Sequence, residues 1–91
     1  MEVINNKKNF QFEITDESGE IATLQYRWLK GNMVLMHTYV PGSLRGKGLA
    51  NDLARFALEN VRQNNIKAIV YCPFVKHFIS RHQEYEILVS K

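Results

Sequence analysis

The chain has 91 residues, 45% hydrophobic and 23% charged, with a formal net charge of +3. That length allows one modest core, read here as a single domain over residues 1–91, with little room for separate catalytic and specificity domains. The one cysteine, Cys72, excludes an internal disulfide, and no apolar run reaches signal-peptide or membrane-spanning length, so the sequence reads as a soluble cytoplasmic protein.

In chain order, Phe10, Phe12 and Ile14 alternate with Gln11 and Glu13, the pattern of a half-buried strand. Asp16-Glu17-Ser18-Gly19 is a turn. Ala22, Leu24, Tyr26 and Trp28 alternate with polar residues in a second strand, and Lys30-Gly31-Asn32 closes a second hairpin. Residues 33–40 are apolar on both parities, which predicts a strand buried on both faces. Its parity sets His37 with Met33, Leu35 and Tyr39.

The period then changes. Over residues 48–64, Leu49, Leu53, Phe56, Ala57 and Val61 fall on one helical face, and Asn64-Asn65 stops the helix. Residues 66–71 form a short apolar strand. Two apolar strands joined by an amphipathic helix predict a parallel βαβ unit. Pro73 suits the first position of a second helix, with Phe74, Val75, Phe78 and Ile79 as its apolar stripe. Residues 86–90 are read as a last short strand. The coarse order is β-β-β-β-α-β-α-β, which is a mixed α+β and α/β fold: antiparallel hairpins first, a parallel unit after, helices packed on one mixed sheet.

The stretch that carries chemistry is Val40-Pro41-Gly42-Ser43-Leu44-Arg45-Gly46-Lys47-Gly48-Leu49-Ala50, which joins a buried strand to a helix N-terminus. Gly46 and Gly48 remove side chains where backbone would approach a ligand. The first helical turn offers free N–H groups and the positive end of a dipole. With Arg45 and Lys47 these make a cradle for pyrophosphate. A Walker loop does not fit: Gly42 is one residue too close to Gly46-Lys47, and Gly48 stands where the hydroxyl is needed. A dinucleotide fingerprint fits poorly, because Asn51 stands where its third small residue belongs.

The remaining pattern, Arg/Gln-x-x-Gly-x-Gly/Ala, is met by Arg45, Gly48 and Ala50 and resembles the coenzyme A loop of the N-acetyltransferase (GNAT) superfamily. His37-Thr38-Tyr39-Val40-Pro41, Tyr71-Cys72-Pro73-Phe74 and His82-Gln83-Glu84-Tyr85 extend the likeness to the short, single-domain GNAT-like branch, over residues 10–89. The resemblance implies a GNAT-like fold, with acetyl-CoA lying between two parallel strands that splay apart near Val40 and Cys72. It implies acetyl transfer to an amine acceptor of unidentified class. The expected cofactor-binding residues are Val40, Arg45, Gly46, Lys47, Gly48, Leu49 and Ala50. Unlike larger members, the chain lacks the usual first helices and a tyrosine inside the helix after the second parallel strand.

Cys72 and His37 are the candidate catalytic residues. Cys72 directly precedes Pro73, so it should sit at a helix N-terminus, a position that favours a thiolate; the other reading is a small buried hydrophobe. His37 could take a proton from an amine or be a satisfied structural residue. His77 and His82 read as surface residues. No ligand set with metal spacing appears, so no metal is expected. The mild positive charge suits a phosphorylated cofactor. The basic residues are scattered with no RNA-binding signature, so neither nucleic acid nor membrane is an expected partner. A coenzyme A-binding module, acting as a sensor or accessory protein without efficient transfer, is the alternative to an acetyltransferase.

Overall fold

The structure is a computed structural model, and it describes residues 2–90. Five strands, β1 (Ile4–Asn6), β2 (Gln11–Thr15), β3 (Ile21–Leu29), β4 (Asn32–Tyr39) and β5 (Ala68–Val70), form one sheet in the order β1-β2-β3-β4-β5. Pairing is antiparallel from β1 to β4 and parallel between β4 and β5. Helix α1 (Leu49–Gln63) connects the two parallel strands, and α2 (Pro73–Arg81) follows β5.

Local chemistry accounts for the hairpins. Asp16 Oδ1 accepts from the Ser18 amide at 3.0 Å, the Ser18 hydroxyl at 2.8 Å and the Glu20 amide at 2.9 Å, which closes the β2–β3 turn. Lys30 and Gly31, at φ 51° and 83°, make the two-residue turn between β3 and β4. A turn with both central residues at positive φ matches the twist of the strands it joins.

The core lies between one face of the sheet and the helices. Phe12, Ile14, Leu24, Tyr26 and Leu35 meet Leu49, Leu53, Ala57, Leu58 and Val61 of α1, all buried. Phe56 sits at the margin of the helical stripe rather than inside it, 39% exposed and edge-on to Phe12 at 5.6 Å. The second helix joins the same layer: Val75, Phe78 and Ile79 are buried, and the Arg55 guanidinium of α1 stands 5.3 Å from the Phe78 ring centre.

The opposite face of the sheet carries Gln11, Glu13, Thr23, Gln25, Arg27, His37 and Tyr39, all exposed or half-exposed. It carries no helix among the described residues, because β1 and β2 are joined directly by residues 7–10. No helix of the described residues is long and apolar enough to cross a membrane.

Three expectations change. Burial on both faces of β4 holds only for Met33, Val34 and Leu35; Met36, His37 and Tyr39 are exposed. The cause is a β-bulge: Tyr26 pairs with Leu35 and Gln25 with His37, so Met36 is an extra residue on β4. One inserted residue exchanges the two faces of everything beyond it. His37 therefore shares the open face with Gln25 instead of the face of Leu35. The expected last strand over residues 86–90 is instead a 3₁₀ segment, Gln83–Leu88, with one parallel bridge between Val89 and Ala68. Tyr85 and Leu88, three residues apart, are both buried, a spacing that three residues per turn satisfies and a strand does not. A short strand, Ile4–Asn6, lies ahead of the first one marked by alternation and completes the four strands expected before the first helix.

Candidate functional site

The parallel strands separate early. Register between β4 and β5 runs only from Met33↔Ala68 to Leu35↔Val70. The Leu35 carbonyl then accepts from both the Tyr71 and Cys72 amides, at 3.0 and 3.1 Å. Beyond that point β4 continues to Tyr39 paired with β3 alone, while the other strand turns into α2. The result is a wedge with Leu35 at its apex.

Thr38 and Cys72 meet across the wedge, their Oγ1 and Sγ atoms 3.1 Å apart. Thr38 pairs with Leu24 on the helix-covered face, so the extra residue Met36 is what turns its hydroxyl toward the thiol. Cys72 caps α2 ahead of Pro73, as the sequence indicates, and is 2% exposed. His37 points to the open face, and it makes no hydrogen bond with Cys72. The wedge thus has a thiol and a hydroxyl on its helical side and an imidazole on its open side.

At the mouth of the wedge the chain forms the glycine loop. A 3₁₀ turn over Gly42–Leu44 buries Leu44 as an anchor. Gly46 and Gly48 both adopt the left-handed conformation, at φ 83° and 75°, and Gly48 is the N-cap of α1. A non-glycine residue there costs roughly 1–2 kcal/mol. No side chain caps the helix, and its only first-turn acid is Asp52. The first-turn N–H groups are therefore left for an anion. A Cβ added at Gly46 or Gly48 would meet no protein atom within 4 Å, so both glycines face open space.

That space is a groove of about 390 Å³ lined by Val40, Leu44, Arg45, Gly46, Gly48, Leu49, Ala50, Asn51 and Phe74. Of the expected cofactor-binding residues, six line it: Val40, Arg45, Gly46, Gly48, Leu49 and Ala50. Arg45 Nε donates to the Val40 carbonyl at 3.3 Å, which holds the side chain over the loop. Lys47 does not line the groove. It stands near the β2–β3 turn, where Asp16 is held below the usual carboxylate range, first by the Ser18 hydroxyl and in smaller part by the Lys47 charge. No carboxylate lines the groove, and the residues present fit a pyrophosphate.

Thr38 and Asn51 are site residues that the sequence reading missed. Thr38 lies within the His37-Thr38-Tyr39-Val40-Pro41 stretch, but only the bulge reveals the direction of its hydroxyl. Asn51 is a mismatch to the dinucleotide pattern, yet it stands at the exposed first turn of α1 and lines the groove.

A mixed sheet with splayed parallel strands and a glycine-rich loop between the first of them and its helix is the architecture of the GNAT fold. The model of the GCN5-related N-acetyltransferases matches residues 11–88, and the chain belongs to that family. Protein NATD1 of Danio rerio is 33% identical over 89 residues, covering 93% of this chain and 81% of that protein. Protein NATD1 of Gallus gallus is 30% identical over 84 residues, covering 90% of this chain and 76% of its own. The solution structure of a GCN5-like protein from Staphylococcus aureus superposes with a TM-score of 0.74 at 28% identity, covering 98% of this chain and 87% of that one.

Proposed function

We propose that this protein transfers an acetyl group from acetyl-CoA to an amine, with the coenzyme lying in the wedge between β4 and β5. The observation that carries the reading is the groove at the mouth of the wedge. Two left-handed glycines, an uncapped helix N-terminus and Arg45 converge there with no opposing carboxylate. The pyrophosphate would be held by the first-turn N–H groups after Gly48 and by the Arg45 guanidinium.

In the transfer an amine nitrogen attacks the thioester carbonyl carbon, the carbon–sulfur bond breaks, and the thiolate leaves. Backbone N–H groups of β4 beyond Leu35, freed from β5 by the splay, are the candidate donors to the oxyanion. His37 is the candidate base for the ammonium proton, reaching the wedge from the open face. Cys72 lies on the other side and either assists the departing thiolate or takes the acetyl group transiently. The Thr38 hydroxyl is the hydrogen-bond partner of that thiol in either case. The amine would reach the wedge from the bare sheet face, and a cytoplasmic location supplies acetyl-CoA.

A coenzyme A-binding module without efficient transfer is the second reading. It is favoured by one observation: among the described residues no helix covers the open face to shape an acceptor site. Release of free thiol from acetyl-CoA, followed against a panel of amines, peptides and polyamines, separates the two. Amine-dependent release with acetylated product supports the enzyme. Tight binding with no amine-dependent release across the panel supports the module.

A further inference from the structure

The glycine-loop groove does not end at the loop. A second groove of about 350 Å³ continues from it, lined by Asn51, Phe74, His77, Phe78, Arg81 and His82. The two share Asn51 at the first turn of α1 and Phe74 at the first turn of α2. Phe74, His77, Phe78 and Arg81 are spaced i, i+3, i+4 and i+7 along α2, so they form one stripe, which runs roughly 10 Å from the loop.

Arg81, His77 and His82 line the second groove, and among the described residues no carboxylate does. His82 has a structural task. Its Nδ1 lies 2.9 Å from the Phe78 carbonyl, and its ring stacks on Phe78 at 4.1 Å. The His77 and Arg81 side chains are exposed and make no hydrogen bond or ion pair with another described residue. Nothing in the fold accounts for them. The unpartnered Arg81 guanidinium, with the His77 imidazole one turn away beside an anion cradle, fits a ligand carrying a second phosphate one sugar away from its pyrophosphate.

We propose that the α2 stripe is the subsite for the ribose 3′-phosphate of coenzyme A. Arg81 and His77 donate to the phosphate, and Phe74 supplies the apolar wall between the two phosphate positions. The assignment rests on the coenzyme reading above and makes the protein selective for coenzyme A over its 3′-dephosphorylated form. Like other exposed charge pairs, its contribution falls as salt rises.

Calorimetric titration of the wild-type chain, Arg81→Ala and His77→Gln with coenzyme A and with dephospho-coenzyme A tests this. At low salt the wild type should prefer coenzyme A by roughly tenfold or more, the worth of one charge-assisted hydrogen bond. Arg81→Ala should erase most of that preference while leaving dephospho-coenzyme A affinity unchanged, and His77→Gln should reduce it. Equal wild-type affinity for the two compounds, or an Arg81→Ala variant that weakens both alike, would overturn the subsite alone. Binding of neither compound by the folded wild type would overturn the coenzyme reading together with it.

Discussion

Thr38 Oγ1 and Cys72 Sγ lie 3.1 Å apart, joining two strands that have already stopped pairing. The contact exists because Met36 is an extra residue in β4, which turns Thr38 inward and His37 outward. Thr38→Val keeps the shape and removes the hydroxyl. Turnover should fall and coenzyme A affinity should hold, with Thr38→Ser restoring most of the rate. A Thr38→Val protein that is fully active and equally stable would leave the contact without a chemical role.

Cys72 separates two routes of transfer. With a relay, incubation with acetyl-CoA alone gives a hydroxylamine-sensitive thioester on Cys72, and Cys72→Ala stops transfer. With direct transfer no thioester forms and Cys72→Ser keeps partial activity. Intact-mass measurement distinguishes them. Full activity in Cys72→Ala would remove the thiol from the chemistry.

The glycine loop should respond in two ways. Gly48→Ala forces a side chain into the left-handed conformation and should lower stability by roughly 1–2 kcal/mol. It should also weaken coenzyme A binding, and Gly48→Val more so, because the added carbons enter the groove. Arg45→Ala should weaken binding by roughly tenfold, with thermal stability little changed since Arg45 is exposed. Unchanged affinity in folded Gly48→Val would contradict the cradle.

His37 should act on rate rather than affinity. His37→Gln should lower kcat by roughly 10²–10⁴ if the imidazole is the base, with the coenzyme A Kd nearly unchanged. Because His37 is exposed on the open face, the substitution should leave the melting temperature close to wild type. Normal turnover would return it to a surface role.

Two buried phenols make the stability of the fold depend on pH at the alkaline end. Burial raises the Tyr26 and Tyr85 hydroxyls above their ordinary range; Tyr85 is raised further by Glu59, to which it donates at 2.8 Å. The folded state therefore holds these protons more tightly than the unfolded chain. The corresponding stability is fully present below about pH 10 and is lost as pH rises through the raised values. Urea midpoints measured across this range should fall at the alkaline end, and less steeply in Tyr85→Phe.

Much of this was legible in the sequence because it rests on local rules. The β2–β3 and β3–β4 hairpins follow from Asp16 and the Lys30-Gly31 pair. The α1 boundaries follow from Gly48 and Asn64, and the loop follows from two glycines before an apolar period. What was not legible depends on register between distant segments. Nothing in residues 33–40 marks Met36 as inserted, since all eight positions tolerate a strand; the bulge appears only against β3. The C-terminal segment reads as a short strand in the chain alone, and it winds into a 3₁₀ segment because α1 and α2 offer Tyr85 and Leu88 a surface to bury against. The second groove combines α1 and α2, so His77 and Arg81 look like ordinary surface residues in the chain alone.

Amide NMR during titration with coenzyme A tests whether the coenzyme enters the wedge and lies along the glycine loop. The largest shifts should fall at Gly46, Gly48, Leu49 and Ala50, at the β4 amides beyond Leu35 that β5 leaves unpaired, and at Cys72, with the β1–β2 hairpin nearly unmoved. Saturable binding whose shifts fall elsewhere and spare both the loop and the splayed strands would contradict that placement.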